Sequence, residues 1–176
     1  GLGDVYKRQT RAFSDGLAVV KKTDDTYAYI DKTGKIVIDA SKYRYVDSFS
    51  EGMARVWKVE GNTRRCGFID KTGKEVIPCQ YDWVGHFIDG VTYVLQNQQL
   101  WTMDKTGKKL NYLTDAAHSV SYASDDILKV EKIIDFPGGD HEHMNTYYDK
   151  TGEFSYETYL LKAGLSEGLA PYRDEK

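Results

Sequence analysis

The sequence is short of most features that assign a chain to a common functional class. It has only 3 prolines, and no stretch approaches the roughly eighteen consecutive apolar residues that a membrane-spanning helix requires. Its net charge is −3 and its pI is ≈ 5.8, so nothing draws the whole chain electrostatically toward nucleic acid or an anionic membrane. Apolar residues nowhere keep helical spacing long enough to predict a stable amphipathic helix. With 14 tyrosines and many valine and isoleucine runs, the composition favours β structure.

What the chain does have is a repeated tetrapeptide, Asp-Lys-Thr-Gly, that occurs four times. Its aspartates lie 39, 34 and 45 residues apart, and they are Asp31, Asp70, Asp104 and Asp149. The glycines that close it are Gly34, Gly73, Gly107 and Gly152. Periods of this size indicate stacked supersecondary units, as in a solenoid or a propeller, rather than one enzyme-like globule.

A second marker, an acidic residue and a glycine followed by an apolar strand, repeats with the same period. Its glycines are Gly16, Gly52, Gly90 and Gly168. The last gap is two periods long, and Asp126 stands where the missing glycine would be. Both markers therefore count four whole units and the opening of a fifth.

Each unit is expected to contain three antiparallel strands. The run after the second marker is the first strand, and residues 66–69 exemplify the second. Asp-Lys-Thr-Gly suits a three-residue hairpin loop, in which the aspartate accepts from backbone donors and the glycine takes the left-handed position that forms a bulge. The third strand follows, and Pro78 ends it in the second unit. The sequence thus predicts an all-β protein of tandem three-stranded units of ~35–45 residues, forming an open, curved solenoid, with a propeller-like ring as the alternative.

The two markers also set the expected boundaries. Four repeats are predicted at 13–48, 49–86, 87–122 and 123–164, of which the last is degenerate and carries a loop insertion at 131–145. Residues 165–176 are expected to be the truncated start of a fifth repeat, with a natural capping terminus as the alternative. Residues 1–12 fit no part of the repeat, resemble translated adapter sequence and are expected to be a non-native leader. A signal peptide is then neither found nor excluded, which leaves the compartment open.

The second unit resembles the repeat of a known family, the bacterial WG-repeat proteins. The matching stretches are Gly52-Met53-Ala54, Gly67-Phe68-Ile69-Asp70, Lys71-Thr72-Gly73-Lys74, Ile77-Pro78 and Tyr81-Asp82. The resemblance extends over nearly all of residues 13–172, although no Trp-Gly pair survives in this chain. The slots of that dipeptide hold Tyr27-Ala28, Cys66-Gly67, Leu100-Trp101 and Asn145-Thr146. The resemblance implies a repetitive β scaffold that binds partners rather than catalyses a reaction.

His141 and His143 are the candidate metal ligands of the sequence. Two residues apart on an extended strand, they would point to one face, as a zinc or copper site could use. They lie in the longest loop between strands, and insertions of this kind are often binding elements. No third ligand stands at motif spacing, because His86 and His118 lie in other units. A solvated loop tip is therefore favoured over a metal site, and no cofactor is expected.

Cys66 and Cys79 belong to the second and third strands of one hairpin. If Asp70 pairs with Lys74 across the turn, Cys66 pairs with Pro78, which puts the two cysteines on opposite faces. That register argues against a disulfide, whereas a shift of one residue would allow one. We expect two small buried thiols, because a nucleophilic cysteine would need a base and an orienting acid close by.

Aromatic residues recur near the expected unit boundaries, among them Trp57, Trp83 and Trp101. Exposed, these rings would stack on sugars or grip a peptide. Buried, they would fill the core between units. Strand alternation assigns residues to faces but does not tell which face is covered, so both interpretations stay open.

The leading functional hypothesis is a non-enzymatic repeat scaffold that binds an unknown protein or other ligand at its surface. It follows from the tandem repeats and from the lack of a recognisable set of nucleophile, base and acid. One alternative is an array of aromatic residues that binds carbohydrate or peptide. A further alternative is a metal-binding module at residues 140–143. Nucleic acid is not an expected partner.

Overall fold

The structure, a computed structural model, describes residues 6–9, 11–124, 127–137, 139, 141–149 and 151–160. Over this part of the chain sixteen β-strands form four separate sheets, each an antiparallel meander of four consecutive strands. None of the described residues is helical, so they include no helix long and apolar enough to cross a membrane. The all-β prediction is confirmed.

The four sheets follow one another along the chain. Sheet 1 contains β1 (Tyr6–Gln9), β2 (Ala18–Lys22), β3 (Tyr27–Ile30) and β4 (Ile36–Asp39). Sheet 2 contains β5 (Tyr45–Val46), β6 (Met53–Glu60), β7 (Thr63–Asp70) and β8 (Glu75–Tyr81). Sheet 3 contains β9 (Trp83–Val84), β10 (Val91–Gln96), β11 (Gln99–Asp104) and β12 (Lys109–Thr114). Sheet 4 contains β13 (Ser119–Ser124), β14 (Ile127–Asp135), β15 (His141–Asp149) and β16 (Phe154–Leu160).

The prediction of three strands per unit is wrong, because every sheet has a fourth. In sheets 2 and 3 the additional strand is two residues long and precedes the second marker of its unit, outside the three strands predicted. There β5 pairs with Trp57 and Val56 of β6, and β9 pairs with Leu95 and Val94 of β10. In sheet 1, β1 comes from the segment expected to be a leader and pairs with β2. A free strand edge presents unpaired N–H and C=O groups, so a neighbouring segment is stabilised when it pairs with that edge as a further strand.

The open solenoid and the ring both stay predictions.

Each Asp-Lys-Thr-Gly segment lies at the tip of the hairpin between the third and fourth strands of a sheet. In sheet 2, Asp70 Oδ1 accepts from the Thr72 hydroxyl at 2.6 Å, from Thr72 N at 2.8 Å and from Lys74 N at 3.1 Å. Gly73 has φ +83°, which favours glycine. The same hydrogen bonds recur at Asp31, Asp104 and Asp149. The tetrapeptide is therefore a self-contained turn.

The second marker forms a smaller hairpin that also links neighbouring units. Both of its central residues have positive φ, as a type I′ turn requires, at Asp15-Gly16, Glu51-Gly52 and Asp89-Gly90. Asp15 Oδ2 accepts a hydrogen bond from Gly52 N at 2.7 Å. The Glu51 carboxylate accepts from Asp89 N at 2.8 Å and from Gly90 N at 2.9 Å. The acid of one turn thus holds the backbone of the next, and we call this series of contacts the turn relay.

Apolar side chains form three layers between successive sheets. The layer between sheets 1 and 2 includes Val19, Tyr29, Phe49, Val56 and Ile69. The layer between sheets 2 and 3 includes Met53, Phe68, Ile77, Phe87 and Met103. The layer between sheets 3 and 4 includes Tyr93, Leu100, Leu128, Val130 and Tyr148. Sheet 2 is covered on both faces, which explains why four successive residues of β7, 66–69, are buried.

Candidate ligand-binding cleft

A cleft of ≈ 520 Å³ lies where sheets 1, 2 and 3 meet. Aromatic side chains from all three sheets line it, namely Tyr27, Tyr45, Trp57 and Trp83. Its remaining lining residues are Arg11, Val46, Asp47 and Arg64. The volume is within the ~300–1,000 Å³ range of small-molecule sites, and four aromatic residues stand beside three charged ones in the lining.

Strand pairing explains why the aromatic rings gather here. Tyr45 of β5 is directly opposite Trp57 of β6, so both side chains point to the same face of sheet 2. Trp83 opens β9 and therefore holds in sheet 3 the position that Tyr45 holds in sheet 2. Tyr45 is 45% exposed, whereas Trp57 and Trp83 are half-buried against the layers between the sheets. Their rings are anchored at one end and available to a ligand at the other.

The charged groups of the cleft fall into two sets. Asp47 is buried and accepts from two guanidinium groups: Arg11 Nη1 lies 2.5 Å from its Oδ1, and Arg55 Nε lies 2.8 Å from its Oδ2. Arg55 Nη2 donates to the same oxygen. Arg64 is exposed and has no carboxylate partner among the described residues. The cleft therefore has one carboxylate held by two guanidinium groups and, in Arg64, a guanidinium without a carboxylate partner among the described residues.

Arg11 and Asp47 also line a second cavity of ≈ 260 Å³, which reaches Phe49, Arg55 and His86. The ion-paired cluster is thus shared between the two cavities. Nothing in the sequence pattern pointed to Arg64 or to this cluster, because the Arg11–Asp47 contact and the cleft that Arg64 lines both form between different sheets.

Trp101, the third predicted binding aromatic, does not line the cleft. Its ring lies 4.8 Å from that of Tyr112 in an edge-on arrangement, and Lys109 Nζ lies 4.9 Å from its centroid. It packs against the layer between sheets 2 and 3, and its indole nitrogen is buried without a hydrogen-bond partner among the described residues. The structure therefore brings Trp57 and Trp83 together and leaves Trp101 apart.

The two candidate metal ligands lie on β15 and line a different cavity of ≈ 400 Å³, together with His118. His141 Nδ1 lies 2.5 Å from Asp135 Oδ1, and His143 Nδ1 lies 2.6 Å from Glu131 Oε1. His118 reaches this cavity because its backbone N–H donates to the Glu131 carbonyl at 2.8 Å, a contact that sequence spacing could not reveal. Asp140 lies outside the described residues, and among those described no group of three or more His, Cys, Asp or Glu side chains is arranged to hold a metal ion.

The cysteines stand as free thiols in sheet 2, but the expected register is wrong. Cys66 pairs with Tyr81 rather than Pro78, because the ladder between β7 and β8 shifts between Cys66 and Phe68. Cys66 faces the layer between sheets 2 and 3, and Cys79 packs against the layer between sheets 1 and 2. Burial raises the pKa of Cys66 to about 11 and that of Cys79 to about 12. Both thiols are therefore protonated at neutral pH.

Known proteins share a sequence repeat and a fold with this chain. Residues 27–58 and 67–99 match a family model described as WG containing repeat. No curated protein matches the chain. The crystal structure of the tricorn protease is similar in fold, with a TM-score of 0.50 and 15% identity, over 89% of this chain and 17% of that one. The four aromatic residues of the cleft all lie within the matched stretches, so this part of the chain carries WG-containing repeats.

Proposed function

We propose that this chain is a non-enzymatic binding module and that the cleft between sheets 1, 2 and 3 is its ligand site. The observation that carries the proposal is the convergence of Tyr45, Trp57 and Trp83 on one cleft beside Arg64, which has no carboxylate partner among the described residues. Half-exposed aromatic rings lose little conformational entropy on binding and offer a large contact area, and arginine adds directional donors.

The state of the thiols supports a binding role over a catalytic one. A nucleophilic cysteine needs a lowered pKa and a base within hydrogen-bond reach. Here burial raises the pKa of both thiols, and their hydrogen bonds go to backbone carbonyls: Cys66 Sγ donates to Tyr81 O and Cys79 Sγ donates to Val56 O. Neither sulfur is activated for attack.

A binding screen with matched variants tests the proposal. The chain is applied to glycan and peptide arrays as wild type, Trp83→Ala and Phe136→Ala. Phe136 is 43% exposed, lies at the end of β14 and does not line the cleft, so it controls for the general loss of a surface aromatic. We expect ligands that bind the wild type and the Phe136 variant and bind the Trp83 variant at least tenfold more weakly. Binding that is insensitive to Trp83, with retained fold by circular dichroism, would refute the site.

A further inference from the structure

The cleft has a charge opposite in sign to that of the whole chain. The protein carries a net charge of −3, yet Asp47, the one carboxylate among the described residues that line the cleft, is held by both Arg11 and Arg55. Two guanidinium groups outweigh this one carboxylate, and Arg64 adds a further positive charge at the cleft surface. A local cation on an acidic protein favours an anionic ligand over a neutral or cationic one.

Arg64 is placed to act together with the aromatic rings. It is directly opposite Val59 on β6, and Cys66, two residues further along β7, is opposite Trp57. Residues two apart on a strand share a face, so Arg64 and Trp57 stand on the same face of sheet 2. Tyr45 joins them there through its pairing with Trp57. One face of the sheet thus presents a planar cation next to two aromatic rings.

The number of free donors limits the charge of the ligand. A carboxylate carries one negative charge and is matched in geometry by a single guanidinium, which binds it through two parallel hydrogen bonds. A phosphate carries more charge and usually recruits further donors, such as a second cation or the N-terminus of a helix. Arg11 directs Nη1 to Asp47, so Arg64 is the guanidinium of the cleft that has no carboxylate partner among the described residues, and these residues contain no helix.

The aromatic walls specify the rest of the ligand. The aromatic rings are half-exposed and belong to an open cleft rather than a closed slot. They therefore offer flat apolar surfaces and do not enclose a nucleobase on both sides. A pyranose ring has an apolar face of C–H groups that packs against such a surface, as carbohydrate sites with aromatic walls require. Building on the binding function proposed above, we infer that the cleft binds a carboxylate-bearing sugar, such as a hexuronate unit of an acidic polysaccharide.

The test measures binding of trigalacturonate to the full chain by calorimetry and by tryptophan fluorescence in a Trp101→Phe background, where Trp57 and Trp83 report the cleft. We expect saturable binding that weakens as NaCl is raised from about 0.05 to 0.5 M, as a charge-dependent contact should. Arg64→Ala should weaken binding at least tenfold, Arg64→Lys should lose less, and Phe136→Ala should change nothing.

Neutral maltotriose, uridine monophosphate and a triglutamate peptide serve as competing probes. Equal affinity for maltotriose, or no effect of Arg64→Ala, would overturn the carboxylate assignment while leaving a sugar-binding cleft in place. Preference for the nucleotide or the peptide would overturn the sugar and leave the proposed binding function intact. If none of the four probes binds and the array shows no dependence on Trp83, both this inference and the proposed function fail.

Discussion

Gly67 shows at the scale of one residue why a glycine belongs to this repeat. A Cβ at this position would lie 2.3 Å from the Ile77 carbonyl oxygen and 2.6 Å from that of Pro78. The ladder between β7 and β8 is irregular on either side of it, and this brings the backbone of β8 against Gly67. In sheet 1 the pairing at the equivalent Ala28 is regular, so a methyl group fits there. Glycine is required at this position because the backbone of β8 leaves no room for a Cβ atom.

Gly67→Ala should therefore reduce the free energy of unfolding by about 2–4 kcal/mol, because the clash is with backbone that cannot rotate away. Urea unfolding followed by circular dichroism measures the loss. Gly61→Ala is the matched control: its Cβ meets nothing within 4 Å, and its φ of +58° costs only about 1 kcal/mol. Equal losses in the two variants would contradict the close approach described for Gly67.

The turn aspartates lead to a prediction about pH. The hydroxyl and backbone N–H of Thr72 and the N–H of Lys74 hold the pKa of Asp70 below its ordinary value of 3.8. Because the folded-state pKa is depressed, Asp70 contributes stability that is present above the unfolded-state value and is lost as the pH falls through the folded-state value.

Thr72→Val should raise the pKa of Asp70 toward 3.8 and make the stability fall less steeply below pH 4, because it removes the strongest of these donors. Carboxyl NMR titration gives the pKa directly. Thr63→Val, at an exposed position that does not contact a turn aspartate, should leave it unchanged. An unaltered pKa in the Thr72 variant would show that the hydroxyl does not stabilise the carboxylate.

At the scale of the element, the turn relay connects units through their smallest hairpins. Glu51 accepts from two backbone N–H groups of the next turn, while Lys105 Nζ lies 2.9 Å from its Oε2 and donates to its carbonyl at 2.8 Å. The Lys105 side chain and these two N–H groups lower the pKa of Glu51. One carboxylate thus joins the turn of sheet 2, the turn of sheet 3 and a hairpin tip.

Glu51→Ala should cost about 1–3 kcal/mol of stability, because two backbone donors lose their acceptor. Hydrogen exchange should also show faster exchange of the Asp89 and Gly90 amides. Glu60→Ala removes an exposed carboxylate from the β6–β7 hairpin and is expected to alter neither quantity. Unchanged protection at Gly90 in the Glu51 variant would mean that the relay does not hold the turn.

At the scale of the whole molecule, stability comes from layers that neighbouring sheets share. Phe68 of sheet 2 is 1% exposed, and its ring lies 4.7 Å from that of Phe87, which lies between β9 and β10 of sheet 3. In a repeat array each unit is stabilised mainly by its direct neighbours, so the loss of one shared side chain weakens two units at once.

Phe68→Ala should lower the free energy of unfolding by about 3–5 kcal/mol and broaden the transition, because it leaves a cavity between sheets 2 and 3. Thermal unfolding and exchange of amides in both sheets are the measurements. Val59→Ala, at a side chain that is 43% exposed, should shift stability by less than about 0.5 kcal/mol. A loss confined to sheet 2 would show that the two sheets are not coupled.

Local patterns in the sequence were sufficient for features whose contacts are local. The tetrapeptide predicted the hairpin tips because the hydrogen bonds of Asp70 all close within four residues. The all-β class was also predictable, because composition and residue spacing are local properties of the sequence.

Features that depend on contacts between units could not be predicted in this way. The fourth strand of sheets 2 and 3 is two residues long and exists only because an edge lies beside it. The register shift after Cys66 has no marker in the sequence. The separation of Trp101 from Trp57 and Trp83 depends on which face the neighbouring sheet covers. His118 and His143 line the same cavity only through tertiary folding.

The turn relay is directional: Asp15 reaches forward to Gly52, and Glu51 reaches forward to Gly90. An acceptor is thus in place before the segment that needs it has been synthesised. On a ribosome, where the amino-terminal part emerges first, each finished module presents a ready docking point for its successor. Assembly can then proceed from the amino terminus, with each new unit docking on the unit that precedes it in the chain.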